Sequence, residues 1–464
     1  GEAMRILFLF LFSLSFSGEG EYKLSSKDLS DYFYFAGSAE EQFGAIHTGI
    51  DYVLQLNSDV LKNKLYLFPY LSGQLSVFRF RSLYFSKSLL EGVLLNAEPN
   101  IPLRLRRYLM GLNGELYFKT FTLGLLTGRV FNYRFDGKNY FLESDTLDVV
   151  RGLYGSGEVG SVVIEAGYVR LNRKNMPEPY AFQEILAGKV GFNLPCFSLQ
   201  LLLASKQGVD PILLQRNKGL GFYGSSLLNL GVWSLSLSGH YYDSLDFFGY
   251  NTPPVITGKE LLPHGGNSDK GISINSSIGL ENAYLKMGAA SVIGLNEHNF
   301  IRPLSGSAIQ ELSLGCDLTF NSNLTVNLEC GRELLLRIEP EYIRLNSYFM
   351  KMGLSTSHFR DLDLEVRPAL NFEDSLKYLS IDLHTGLQVA NALTAIINMY
   401  YSSESLSRYE YIRFWPYAEI RYKLEFGYLF IGFGSERGGL VCSGGICRYV
   451  SPFKGLKMGV SLGI

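Results

Sequence analysis

The chain has 464 residues, and its 42 Lys and Arg nearly balance its 44 Asp and Glu, which gives a formal net charge of −2. This balance argues against nucleic-acid binding, which normally requires a basic surplus or a basic stripe. Charged residues make up only 19% of the chain, whereas Tyr (30), Phe (32) and Gly (49) are abundant. Aromatic residues favour strands and membrane interfaces, and glycine permits close strand contacts and tight turns.

The first residues have the pattern of an export signal. After a start at Met4, Arg5 supplies a positive charge, and the apolar run 6–16 is too short for an ordinary membrane-spanning helix. Small residues predict cleavage near Ser17/Gly18, so residues 1–17, including a leading remnant at 1–3, are expected to be removed. A membrane anchor or a buried strand is the alternative.

The next segment, 18–42, is polar and is predicted to be a periplasmic leader, which could also fold into a lumen. It is too short for a globular plug domain. Beyond it there is no run of about 18 apolar residues, which argues against helical spans. An exported, strand-rich chain then has one main way to cross a membrane, a closed barrel that satisfies every backbone polar group. Residues 43–464 are predicted to form this outer-membrane β-barrel.

Runs of about ten residues alternate between apolar and polar side chains throughout 43–464. The hairpin 311–330 shows the pattern best, with Leu312 and Leu314 on one face and Ser313 and Asp317 on the other. The runs predict about 22 antiparallel strands, with a range of about 18–24, and an even number if both termini lie in the periplasm. A lumen of this width cannot be filled by wall side chains alone, so an open, loop-plugged or flattened barrel is expected.

Short and long connectors take turns along the chain. Tight turns are predicted at 119–120, 157–158, 194–195, 230–231, 281–282 and 321–323. Longer polar loops are predicted at 132–146, 172–180, 207–218, 244–269, 294–307 and 434–446. This sorting is typical of bacterial outer-membrane barrels, which have short periplasmic turns and long outer loops.

The last nine residues, 456–464, alternate to the end, with apolar residues at every second position from Leu456 to Ile464. This stretch resembles the C-terminal strand of outer-membrane barrels, which the assembly machinery of that membrane reads, although the family usually ends on Phe. A soluble edge strand is the alternative. The strand is predicted to close the barrel wall.

Two motifs in the sequence could carry chemistry. The run Gly155–Gly160 matches the dinucleotide-binding glycine pattern, but strands flank it on both sides where a helix is required, so a hairpin turn is predicted. His384 lies two residues from Asp382 on one face, which would suit a hydrolase, yet a solvated lumenal His is the better interpretation. No enzymatic activity, metal or cofactor is therefore expected.

The five cysteines form two pairs of neighbours and one isolated residue. Cys442 and Cys447 bracket the last long loop and are predicted to form a disulfide, since exported proteins meet an oxidising compartment; metal binding is the weaker alternative. Cys316 and Cys330 lie on the apolar face of neighbouring strands, either as small hydrophobic residues or as a pair. Cys196 lies beside a turn without an evident partner.

Charged residues on the predicted inner face form the candidate site. Acidic residues concentrate in later strands, with Arg367 and His384 among them, whereas arginines lie mostly in earlier strands. Two interpretations are open. The acidic and basic strands could lie on different sides of the lumen and produce a transverse electric field that orients polar solutes, or the charged side chains could simply pair with their neighbours in a water-filled interior. The lumen-lining candidates are Asp317, Glu329, Asp361, Asp363, Glu365, Arg367, Asp382, His384, Arg104 and Arg106, and the other early arginines are Arg79, Arg81, Arg107 and Arg129.

Two stretches carry a family resemblance. The first is 145–173, which opens DTLDVVRGLY, and the second runs from GFYGSS at 221 through SGHYYD at 238, YNTPP at 250 and NSDKGISI at 267. Together they resemble an uncharacterised family of Gram-negative outer-membrane barrel proteins. The resemblance implies a barrel and a location in the outer membrane, and it implies no substrate.

The expected function is an outer-membrane channel or porin-like transporter for unidentified polar or amphipathic solutes. The alternative is a structural or assembly barrel whose long loops bind a protein partner and whose lumen is blocked. The expected partners are outer-membrane lipid and, during biogenesis, the barrel-assembly machinery.

Overall fold

Nearly all described residues are β-strand. The structure, a computed structural model, describes residues 15–463 apart from 26–30, 44–45, 58–63, 76–77, 83–106, 136–139, 144–148, 173–181, 210–215, 246–253, 258–267, 298, 302–306, 322, 338–342, 358–360, 374–375, 404–412, 426, 437–438, 444–445 and 451–452. For the strands before residue 114 and for the hairpin at 439–450, only the backbone is described. None of the described residues belongs to a helix, so no helix able to cross a membrane occurs among them.

The strands of the first half are β1 (Ser15–Ser25), β2 (Asp31–Phe43), β3 (Ile46–Asn57), β4 (Lys64–Leu75), β5 (Phe78–Ser82), β6 (Arg107–Tyr117), β7 (Phe121–Phe135), β8 (Tyr140–Glu143), β9 (Val149–Val159), β10 (Val162–Asn172), β11 (Phe182–Leu194), β12 (Phe197–Val209), β13 (Arg216–Leu230) and β14 (Trp233–Asp243). The strands of the second half are β15 (Ser268–Gly279), β16 (Ala283–Gly294), β17 (Ala308–Asn321), β18 (Leu324–Arg337), β19 (Ile343–Thr356), β20 (Leu362–Glu373), β21 (Leu376–Ala390), β22 (Leu393–Ser402), β23 (Phe414–Leu424), β24 (Gly427–Glu436), β25 (Gly439–Ser443), β26 (Ile446–Val450) and β27 (Phe453–Gly463).

The strands pair in chain order as one antiparallel sheet. Each wall strand pairs with its sequence neighbours, and β1 pairs both with β2 and with β27, from Ser17↔Gly463 to Ser25↔Gly455. The order of pairings thus returns to its start, as a barrel wall requires. Within the described residues the sheet has 25 strands, of which β8 is a short extension paired with β7. The remaining 24 lie at the upper end of the expected range, and β25 and β26 form a separate hairpin.

The first two strands correct one prediction. Residues 18–42 were expected to form a periplasmic or lumenal leader, but the structure places them mainly in β1 and β2 of the wall. The polar composition of 18–42 suggested a leader, although β1 itself alternates, with Tyr22 and Leu24 on one face and Glu21 and Lys23 on the other. The place of both strands in the wall follows from long-range pairing with β27 and β3. The predicted cleavage near Ser17/Gly18 falls within β1 and stays a prediction.

The alternation predicted for the later strands is confirmed. Large apolar side chains at alternate positions point away from the barrel interior and are exposed, among them Leu186 (60%), Leu203 (60%) and Leu314 (58%). Residues between them, such as Lys206 and Ser273, are buried on the inward face. A soluble sandwich would have the reverse arrangement, with its apolar face packed against a second layer.

Most short and long connectors lie at opposite ends of the wall, as predicted. The exceptions are the connector 374–375, which is short although it lies at the long-loop end, and 357–361 at the short-turn end, which is longer than its neighbours. Both β1 and β27 have their terminal ends at the short-turn end, because Ser17 pairs with Gly463. One predicted turn is wrong by three residues: the chain reverses at Gly160 and Ser161, not at 157–158. Gly160 has a φ of 62°, which only glycine adopts without strain, so it fixes the hairpin. The glycine run at 155–160 is therefore a strand and its turn, as expected.

Candidate functional site: the lumenal wall

Two different surfaces face the interior of the barrel. The inward side chains of β16–β22, here called the charged sector, are polar and half-exposed. By contrast, the inward side chains of β13–β15 near the long-loop end are buried beneath part of the β14–β15 connector. Leu245 and residues 254–257 of that connector are called the seated loop.

The charged sector is built from ion pairs across neighbouring strands. Lys286 Nζ lies 3.2 Å from Asp317 Oδ1, near the short-turn end. Lys351 Nζ lies 2.8 Å from Glu365 Oε2. On the neighbouring strand β18, Glu329 is the residue opposite Lys351 in register. The side chains of both ion pairs keep 28–43% of their surface exposed, so each pair adds little to stability and the groups stay available to solutes.

The third pair is the most enclosed. Arg367 Nη2 donates to Glu333 Oε1 at 2.6 Å, and its guanidinium lies 4.3 Å from the centre of the Phe349 ring. Glu333 is only 18% exposed. On its other side Arg367 lies opposite Asp382 in register, which in turn lies opposite Tyr400. A lateral row of polar side chains therefore crosses β18–β22 at mid-height.

Most of the predicted lumenal residues take inward positions in this sector. Asp363 accepts a hydrogen bond from Ser355 Oγ at 2.8 Å, and His384 Nδ1 lies 2.5 Å from Asn398 Oδ1. Asp361 is the exception. It lies in the turn before β20 with a φ of 49°, and it is exposed at the short-turn end rather than on the wall. The alternation of β20 begins one residue later than the sequence suggested.

Other candidates are only partly described. Arg104 and Arg106 lie outside the described residues, so the arginine half of the predicted transverse field has no structural account. Cys442 pairs with Cys447 in the register of the β25–β26 hairpin, but their side chains lie outside the described residues, and the disulfide stays a prediction.

The apolar-face cysteines are free thiols. Cys316 lies opposite Leu328 in register, and Cys330 lies opposite Leu314, so the two are diagonal neighbours on the outward face. They behave as small hydrophobic residues there. Cys196, in the β11–β12 turn, is also free and is exposed.

The seated loop is held against the inner wall by a buried hydrogen bond. Tyr242, fully buried on the inward face of β14, donates its hydroxyl to the carbonyl oxygen of Pro254 at 2.8 Å. Val255 and Thr257 on either side of Ile256 are buried as well. The Ile256 side chain covers Gly271, where an added Cβ would lie 2.8 Å from Ile256 Cδ1.

The inward bend of this connector begins at Ser244, directly after β14. Ser244 has a φ of 53°, in the left-handed region that a serine rarely occupies. Its carbonyl oxygen lies over Gly219 on β13, where an added Cβ would be 2.2 Å away. A glycine at 219 is therefore required for the chain to turn inward, and Leu245, fully buried, then fills the space over Gly221.

A buried polar group lies beneath the seated loop. His240 is 5% exposed and stacks on Tyr242 with ring centroids 4.5 Å apart. Neither of its ring nitrogens has a hydrogen-bond partner in the described structure. Tyr223 and Asp269, which pair in register with His240 and Tyr242, are buried beside it.

Sequence reasoning missed the seated loop and the basic partners of the charged sector. The signal for Lys286, Lys351 and Glu333 was present, since each lies at an inward position of an alternating strand. A contact between a loop and a distant wall strand has no local sequence pattern. The only indirect signal for the contact of the seated loop with Tyr242 was the YNTPP motif, which belongs to the stretch with the family resemblance.

Comparisons with known proteins agree with this fold. Residues 387–463 match the model of a family of unknown function, DUF6029. The resemblance to an uncharacterised family of outer-membrane barrels is thereby supported, although the match lies C-terminal to the segments that suggested it. No curated protein matches the sequence.

Solved structures give the class of fold. The siderophore receptor PirA from Pseudomonas aeruginosa is 10% identical, with a TM-score of 0.52 over 97% of this chain and 80% of the receptor. A double mutant of the ferric enterobactin receptor PfeA from the same organism is 11% identical, with a TM-score of 0.50 over 97% and 80%. The P pilus usher PapC translocation pore has a TM-score of 0.49 at 10% identity, over 97% of this chain and 99% of the usher chain. The chain has the antiparallel β-barrel fold of outer-membrane proteins.

Proposed function

We propose that this protein is an outer-membrane channel for small polar solutes, gated by the seated loop. The observation that carries the proposal is the contrast between the two faces of one wall. Outward positions of β16–β22 are mostly exposed and apolar away from the long-loop rim, whereas inward positions carry half-exposed ion pairs. Only a wet interior makes such pairs inexpensive, since buried charges require close compensation. The location is supported by the likeness of the fold to bacterial outer-membrane proteins.

The charge of the sector favours solutes with a positive group. Among the side chains of the sector that the structure describes, acidic ones outnumber basic ones: the former are Glu311, Asp317, Glu329, Glu333, Asp363, Glu365 and Asp382, and the latter are Lys286, Lys351 and Arg367. The three basic residues neutralise part of this charge locally. The pairing therefore supports a weak preference for cations rather than a strong transverse field.

Planar-bilayer recording of the purified full chain tests the channel. We expect discrete conductance steps that favour cations over anions. A barrel that inserts, as shown by protease protection, but stays silent at all voltages would refute the proposal.

A structural or assembly barrel remains the second candidate. One observation favours it: inward side chains of β9–β14 toward the long-loop end, among them Val150, Leu171, Ile185 and Leu202, are almost fully buried, so this part of the interior is filled. This candidate predicts a stoichiometric protein partner that is lost when residues 244–269 are trimmed, with no conductance before or after trimming.

We propose no catalytic role for this wall. His384 contacts the Asn398 side chain and lies two residues from Asp382 on β21, an arrangement that suits a solvated lumenal histidine. We also propose that β27 is the strand engaged by the assembly machinery during biogenesis, since its apolar positions alternate over its whole length. Tests of either proposal need activity or cross-linking measurements.

A further inference from the structure

A group of basic and aromatic side chains lies on the outward face of the wall, near the long-loop ends of β18–β21. The rim patch consists of Arg332, Asn346, Tyr348, Phe372 and Lys377. Register places them together: Arg332 lies opposite Tyr348, and Asn346 lies opposite Phe372, which lies opposite Lys377. Arg332 also lies opposite Leu312 on β17, whose side chain is exposed on the outward face.

The two cations of the rim patch flank a pair of aromatic rings. Arg332 Nε donates to Asn346 Oδ1 at 2.9 Å, and its guanidinium carbon lies 5.8 Å from the Tyr348 ring centre. Lys377 Nζ lies 5.5 Å from the centre of Phe372. The two rings meet edge to face with centroids 6.2 Å apart. These contacts orient both cations over aromatic faces and neutralise neither charge.

No carboxylate shares this face among the described side chains of β17–β21. The acidic residues of these strands occupy inward positions, where Glu333 is bound by Arg367 and Glu365 by Lys351. The outward neighbours toward mid-wall are apolar, including Met350 and Met352, which are 49% and 43% exposed. Two cations therefore lie at the upper edge of an apolar band with no anion beside them among the described side chains, which is costly next to hydrocarbon.

A second cluster at the same rim shows the alternative arrangement. On β10 and β11, Arg170 stacks 4.7 Å from the centre of Phe182 and donates to Asn172 Oδ1 at 2.9 Å. There the chain supplies its own anion, because Glu184 Oε2 lies 3.9 Å from Arg170 and accepts a hydrogen bond from Tyr168. The two clusters share a cation, an amide and an aromatic ring. As far as its side chains are described, the rim patch differs in having no carboxylate.

We infer that the rim patch binds the phosphate-bearing headgroup of a membrane lipid in the leaflet at the long-loop end. The phosphate takes the place that Glu184 holds in the other cluster. Arg332 and Lys377 supply charge-assisted hydrogen bonds, and the acyl chains lie along the apolar wall beside Met350 and Met352. Aromatic side chains at this height are typical of the membrane interface, where headgroups lie. This inference concerns the outer surface and does not depend on conduction through the lumen.

Native mass spectrometry of the full chain in detergent tests the inference with dioctanoyl phosphatidic acid as probe and dioctanoyl phosphatidylcholine as the zwitterionic reference. We expect tighter binding of phosphatidic acid. Arg332→Gln and Lys377→Gln should each weaken it about fivefold, as expected for one cation at a membrane surface, and the double variant should abolish the preference. Arg332→Lys with Lys377→Arg should retain it. Arg170→Gln is the matched control and should leave binding unchanged.

Three results would overturn the inference. The double variant could keep the preference while migrating as a folded barrel on unboiled gels. Arg170→Gln could lose the preference to the same extent, which would make it a general effect of rim charge. Inorganic phosphate could displace phosphatidic acid at equal concentration, which would assign a site for free anions.

Discussion

Replacing Tyr242 by Phe should open the channel. The substitution deletes one oxygen and leaves the ring in place, so the packing on His240 is kept. It removes the hydrogen bond to the Pro254 carbonyl and leaves that carbonyl without its donor in a buried site. Such a loss costs about 1–3 kcal/mol. If the seated state alone bears this cost, the ratio of open to closed channels rises by about 5-fold to 150-fold.

Single-channel recording measures this ratio directly. The unmodified chain should dwell mainly in a low-conductance state, and Tyr242→Phe should spend more time in a larger one. Tyr241→Phe is the matched control, because Tyr241 is the adjacent residue and is 42% exposed on the outward face. The reasoning fails if the Tyr242→Phe channel, shown to be folded by its unboiled gel migration, has the open probability of the unmodified chain, or if Tyr241→Phe opens equally.

Three further substitutions test the wall. Gly219→Ala places a Cβ against the backbone where the connector turns inward, and it should unseat the loop at a cost of about 1–3 kcal/mol. Gly386→Ala is the control, because nothing lies within 4 Å of its added Cβ. Equal open probabilities for the two variants would contradict this prediction. Arg367→Gln removes one positive charge from the charged sector and should roughly double cation preference, since a unit charge about 10 Å away in water is worth about 0.4 kcal/mol. An unchanged reversal potential would count against a conducting charged sector. Leu314→Arg should lower the free energy of unfolding, measured by urea titration in lipid, by about 2–4 kcal/mol. Ser313→Arg, on the inward face, should lower it by much less. The reverse order would mean that the apolar face points inward.

The alternating strands and the sorting of connectors were predictable because both are local signals. Leu312 and Leu314 against Ser313 and Asp317 fix which face is apolar, and a predicted export signal together with long loops at one end favours a barrel over a sandwich. The same alternation placed Glu365, Asp363 and Asp382 on the inner wall.

The parts that sequence reasoning did not reach depend on contacts between distant residues. β1 and β2 were assigned to a leader because residues 18–42 are polar, and only their partners β27 and β3 show that they are wall strands. The seat of the loop on Tyr242 likewise depends on a glycine at 219, more than twenty residues before Pro254. Asp361 was misplaced because a turn residue with positive φ continued the polar alternation of β20.

Closure of the wall through β1 and β27 is the claim on which the lumen, the gate and the two faces all depend. Disulfide trapping tests it in a chain whose five native cysteines are replaced by alanine. Glu19 and Ser461 lie opposite each other in register, with a Cα separation of about 4.5–5.5 Å, so Glu19→Cys with Ser461→Cys should cross-link in the folded barrel. Glu19→Cys with Lys457→Cys, offset by about 13 Å along β27, should not. Absence of the first cross-link in folded protein, or equal trapping of both pairs, would contradict the closed wall.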